Sequence, residues 1–169
     1  GIILKFKYKF SIPKIKCNGE ISTGFLISKD KVITTVHSIQ EHLNDNANII
    51  EVIFQTQDGN KITRIGTPIL FEESNIGKLD TIIALKLDES IDNVACLECI
   101  KSTFEMVESA SIYGYPAVRE NDGTLIEVKI LGYLADEDFD IKVEDPIRDY
   151  SGCSGGPLIY KNYVVGVAL

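Results

Sequence analysis

Short runs of β-branched and aromatic residues recur along most of the chain, broken by turn residues roughly every 8–12 positions. Such runs suit a pleated, half-buried surface better than a helix. Ile21–Ser28, Lys31–Thr35, Ile49–Gln55 and Lys61–Ile69 form a first set. Ser28-Lys-Asp-Lys31 reads as a polar turn, and Asp58-Gly59 as a hairpin turn. Thr81–Leu87 (TIIALKL) is apolar enough to be buried on both faces. A second set comprises Met106–Tyr115, Thr124–Ala135, Phe139–Val143, Pro157–Tyr160 and Tyr163–Leu169. Asn121-Asp-Gly123 and Lys161-Asn162 turn pairs within it. The single helical suggestion is a short turn after His37, in SIQEHLN. The alternating lysines of the first 16 residues read as the wet face of a further strand. The pattern predicts an all-β sandwich or barrel in two sets, joined by the polar stretch Asp88–Thr103.

A chain of 169 residues holds one domain or two small half-domains, and at this size a core forms without disulfide staples. The formal charge of −8 argues against nucleic acid or an anionic membrane as partner, since phosphate binding needs clustered Lys and Arg. No apolar run approaches the ~18 residues of a membrane span. The lysines inside GIILKFKYKF are unlike a signal peptide. Cys96-Leu-Glu-Cys99 has CxxC spacing, but no second ligand pair accompanies it, so no metal is expected. Four cysteines read as free thiols in a reducing cytoplasm.

Chemistry concentrates in Gly152-Cys153-Ser154-Gly155-Gly156-Pro157. Three glycines around one serine are costly in chain entropy unless the backbone must approach something closely or hold unusual dihedrals. Consecutive amides there form a candidate anion nest, the kind of donor array a tetrahedral acyl-transfer intermediate requires. A serine nucleophile needs a base, and the chain has two histidines, His37 and His42. His37 follows the strand-like VITTV, whereas His42 lies in a polar stretch. The base needs a carboxylate to orient it. Asp80, directly before Thr81–Leu87, is the candidate, with Asp88 its nearest rival.

In this order His37, Asp80 and Ser154 resemble the triad of the trypsin-like, chymotrypsin-fold serine peptidases. TGFLISKDKVITTVH, LDTIIALKL and GCSGGP each resemble a motif of that family. Gly114-Tyr115-Pro116 is similar to compact intracellular bacterial members. The resemblance implies two six-stranded Greek-key β-barrels, over 1–88 and 104–169, joined by a connector over 89–103. It implies Ser154 as nucleophile, His37 as general base and acid, Asp80 as orienter, and the amides of Gly152 and Ser154 as oxyanion hole. No cofactor or metal is implied, and the partner is a protein or peptide substrate. Arg148, six residues before Ser154, falls where relatives place the base of the P1 pocket, with Ser151 beside it. A cation there favours an acidic P1 side chain.

Two departures leave alternatives open. Cys153 stands where many secreted relatives carry Asp before the nucleophile, and a thiol nucleophile one residue early is a minor alternative. The chain stops at Leu169 inside an apolar run, so the second barrel is expected to lack its end. Completion by a further domain or partner chain, in a larger regulated protein, is one expectation. A latent or pseudo-protease domain used for binding is the other.

Overall fold

The computed structural model describes residues 8–69, 81–101, 104, 106–117, 122–133, 139–143 and 150–169. Twelve strands carry the fold among them. The first set is β1 (Lys14–Cys17), β2 (Glu20–Thr23), β3 (Phe25–Ser28), β4 (Lys31–Thr35), β5 (Ile50–Gln55), β6 (Lys61–Ile69) and β7 (Ile82–Leu87). The second is β8 (Glu108–Gly114), β9 (Thr124–Tyr133), β10 (Phe139–Val143), β11 (Pro157–Tyr160) and β12 (Tyr163–Val167). One short helix, α1 (Gln40–Asn44), follows a 3₁₀ turn at His37–Ile39. No helix among the described residues is long and apolar enough to cross a membrane.

The first sheet runs β2-β1-β5-β6-β7-β4-β3, all antiparallel. Its edge strands, β2 and β3, are consecutive halves of one segment that bends at Gly24. The sheet therefore closes on itself, with six staves rather than seven. The sequence predicts Ile21–Ser28 as one strand; the break is the barrel's corner. A Cβ at Gly24 would lie 2.7 Å from Val32 Cγ1 and 2.9 Å from the Ile33 carbonyl, so only glycine passes this corner unstrained. Strict alternation along β5 sends Ile50, Val52 and Phe54 inward. They pack with Ile15, Leu26, Val32 and Leu85 in a dry core.

The N-terminal reading needs correcting. Lys9–Ser11 is a 3₁₀ turn, closed by Ser11 N–H donating to the Tyr8 carbonyl at 2.8 Å. Pro13 has no N–H to give a ladder, and β1 begins just after it. Lys16 is exposed as expected, but Lys14 is 8% exposed.

The second sheet runs β10-β9-β8-β11-β12 and is open among the described residues. Ala110, Ile112, Ile126, Val128, Ile130, Leu158 and Val165 form its core. A third cluster joins the two sheets through Ile12, Phe25, Leu97, Tyr113, Tyr115 and Ile159. Tyr115 Oη donates to the Ile12 carbonyl at 2.7 Å. The connector touches both halves: Leu97 N–H donates to the Leu26 carbonyl at 2.9 Å, and Val164 N–H to that of Glu98 at 2.8 Å.

Candidate active site

β4 delivers the histidine. The strand ends at Thr35, and the 3₁₀ turn lifts His37 onto the surface while Ser38 and Ile39 stay buried. Val36 N–H donates to the Thr81 carbonyl at 3.1 Å. This ties the turn to the residue that follows Asp80. Asp80 itself lies outside the described residues, as does Arg148. His42 turns elsewhere, its Nδ1 2.9 Å from the Asn48 carbonyl, closing the loop after α1.

The serine loop is held from the opposite sheet. Thr23, at the end of β2, donates its N–H to the Ser154 carbonyl at 2.8 Å and its hydroxyl to the Gly152 carbonyl at 2.7 Å. The same hydroxyl accepts the Tyr115 N–H at 3.1 Å. Gly155 N–H donates to the Ala168 carbonyl at 2.7 Å, and Cys153 N–H to that of Tyr150 at 3.0 Å. Gly152 has φ +99° and Gly155 φ +90°, both left-handed. A Cβ at Gly152 would overlap the Tyr115 carbonyl, and one at Gly155 the Thr23 carbonyl. These two glycines are therefore required both by dihedral and by contact.

This loop leaves two donors unspent: the N–H groups of Gly152 and Ser154 donate to no described acceptor. Both residues line a cavity of about 890 Å³, together with His37 and Ser151. Ile112, Ile126, Ile141, Val143 and Tyr150 of the second half line its other side. Cys153, 5% exposed, packs in the second-sheet core.

His37 and Ser154 share the cavity without a hydrogen bond between them. Ser154 Oγ instead lies 3.4 Å from Thr35 Oγ1. Thr35 Oγ1 is in turn 2.5 Å from Ser38 Oγ and accepts the Ser38 N–H at 3.3 Å. Neither Thr23 nor Thr35 stood out in sequence, because a β-branched residue in a strand run already has a sufficient structural reason to be there.

All four cysteines are free. Burial pushes the thiols of Cys17, Cys96 and Cys99 upward from their ordinary pKa, which keeps them protonated at neutral pH. Among the described residues no group of His, Cys, Asp and Glu is arranged to hold a metal ion.

The trypsin family model matches residues 7–169. The chain belongs to the trypsin family. Its fold is similar to that of Deg5, with a TM-score of 0.78 at 18% identity, over 98% of this chain and 82% of that one. It is also similar to the inactive form of the Rv3671c protease of M. tuberculosis, with a TM-score of 0.72 at 20% identity, over 97% and 79%. A scabies mite inactivated protease paralogue has a TM-score of 0.74 at 13% identity, over 98% and 81%. No curated protein sequence matches the chain.

Proposed function

We propose that this trypsin-family domain is a serine endopeptidase in which Ser154 attacks a peptide carbonyl, His37 carries the proton, and Asp80 orients His37. The observation that carries this reading is the pair of unspent amides, Gly152 and Ser154, beside the Ser154 hydroxyl on the cavity that His37 also lines. In the attack a bond forms between Ser154 Oγ and the carbonyl carbon. The hydroxyl proton passes to His37, and the charge on the carbonyl oxygen meets the two amides. The C–N bond then breaks, the amine leaves with the proton from His37, and water cleaves the acyl-enzyme by the same route. No cofactor takes part. The Val36–Thr81 bond supports the role of Asp80, because it joins the chain neighbours of base and carboxylate.

Residues 1–88 and 104–169 act in this reading as two halves of one peptidase unit, bridged by 89–103. Arg148 and Ser151 contact the substrate, Arg148 drawing an acidic P1 side chain. A Glu endopeptidase of similar fold makes glutamate the first P1 residue to try (TM-score 0.66, 21% identity, 94% of this chain and 78% of that one). Cleavage of peptides with P1 Asp, Glu, Lys or Leu tests this, and equal rates remove it. The free cysteines favour a reducing compartment such as the cytoplasm.

A fluorophosphonate probe tests the central assignment. Full-length protein becomes labelled at Ser154, and His37→Ala abolishes the label. An unlabelled full-length protein overturns the reading.

One observation favours a latent resting state: Ser154 Oγ is within reach of Thr35 and not hydrogen-bonded to His37. If Thr35 restrains the serine, Thr35→Ala labels faster than the parent and Thr35→Ser labels like it. Slower labelling of Thr35→Ala makes Thr35 a support for the nucleophile instead.

A further inference from the structure

The two sides of the cavity differ in charge. The second-half side, with Ile112, Ile126, Ile141, Val143 and Tyr150, is apolar. The first-barrel side carries Glu20, at the start of β2, and Glu41, in α1. No lysine or arginine lines the cavity among the described residues. Neither carboxylate makes a salt bridge to a described residue. Ser22, 5% exposed and two residues along β2 from Glu20, also lines the cavity. Its Oγ is the one buried side-chain polar atom with no hydrogen-bond partner among the described residues. A buried hydroxyl left unpaired costs free energy that a ligand's peptide group would recover.

Polarity of cleavage says what meets this wall. The leaving amine takes its proton from His37, so the residues that follow the scissile bond lie on the His37 side. That side belongs to β2 and the turn leading into α1, which pack against each other. We infer that Glu20 and Glu41 select substrates with a lysine or arginine in the first residues after the scissile bond, and that Ser22 hydrogen-bonds the peptide there. This specificity rests on the peptidase reading above, but its charge preference is measurable without turnover.

Exposed ion pairs are weak, so each carboxylate is expected to contribute about two- to fivefold. The experiment uses full-length Ser154→Ala protein, which binds without cleaving. Two fluorescent peptides are titrated, identical up to the P1 residue and followed by either Lys-Arg or Glu-Glu. The Lys-Arg peptide binds more tightly at low salt, and the difference shrinks at ionic strengths where the screening length falls well below ~10 Å. Adding Glu20→Gln with Glu41→Gln removes the preference while leaving the melting temperature unchanged. Adding Ser22→Ala weakens both peptides alike. Equal binding of the two peptides overturns the inference, as does a basic preference that survives the double substitution. Fluorophosphonate labelling of the parent reports the peptidase reading separately. A labelled enzyme without charge preference loses only the inference, and a charge preference without labelling loses only the peptidase reading.

Discussion

The two halves solve the same problem differently. The first barrel closes on itself at Gly24 and buries Ile15, Leu26, Val32, Ile50, Val52 and Leu85 to 0% exposure. The second sheet is open among the described residues, and on its side of the cavity Ile141, Val143 and Tyr150 are only partly buried. A closed barrel holds the His37 turn at a fixed place. An open sheet offers apolar surface to whatever occupies the cavity. The seam between them is where rigid backbone contacts, through Thr23, set the serine loop.

That division predicts a ranking of damage. The seam is the most sensitive point. Gly155→Ala would force a left-handed residue and press a methyl onto the Thr23 carbonyl, so we expect a loss of about 4 kcal/mol or failure to fold. Within the halves, Leu85→Ala in the sealed barrel should cost about 3 kcal/mol, since its surroundings have no room to relax. Ile141→Ala, on the cavity side of the second sheet, should cost about 1 kcal/mol, because its side chain is only partly removed from water. Urea denaturation of both variants checks the contrast. Equal losses would mean that the second sheet is as sealed as the first.

Much of this was legible in sequence, for reasons that differ by residue. β4, β6, β10 and β11 have the bounds their composition predicts, because β-branched runs flanked by turns leave little choice. Gly152 and Gly155 were legible as special, since glycine so close to serine has a cost without a function. The bend at Gly24 was not, because a corner exists only once the sheet closes. Nor was the burial of Lys14, which depends on neighbours far away in sequence. Thr23 and Thr35 act through side-chain oxygens whose partners lie 129 and 119 positions away. A local pattern carries no trace of such pairings.

A smaller, pH-dependent effect sharpens the view of the seam. Tyr113 and Tyr115 meet edge to face, with ring centroids 6.1 Å apart. Burial pushes the Tyr113 phenol up to about 12 and Tyr115 further still. In the unfolded chain both ionise near 10. Below pH ~10 both states hold the protons and pH has no leverage through these groups. Between about 10 and 12 the unfolded chain gives them up while the folded one keeps them, so stability falls as pH rises. Urea midpoints at pH 9 and pH 11 should therefore separate for the parent and separate less for Tyr113→Phe. An unchanged separation would assign the alkaline loss to groups away from the seam.

The smallest effect is expected on the outside of the first barrel. Asp30 hydrogen-bonds Lys86, which holds its carboxyl below the ordinary value, with Ser28 Oγ also donating to it at 3.2 Å. A lowered pKa means that the folded state prefers the carboxylate. The stabilisation is therefore present above pH ~4 and lost as pH falls through the folded value. Asp30 is a surface group, however, and water and salt compete for the pair. Asp30→Asn should leave the melting temperature at pH 7 within the scatter of repeat scans, in contrast to Leu85→Ala one strand away from it. A clear drop at pH 7, removed by 1 M salt, would show that the closed barrel depends on its rim as well as its core.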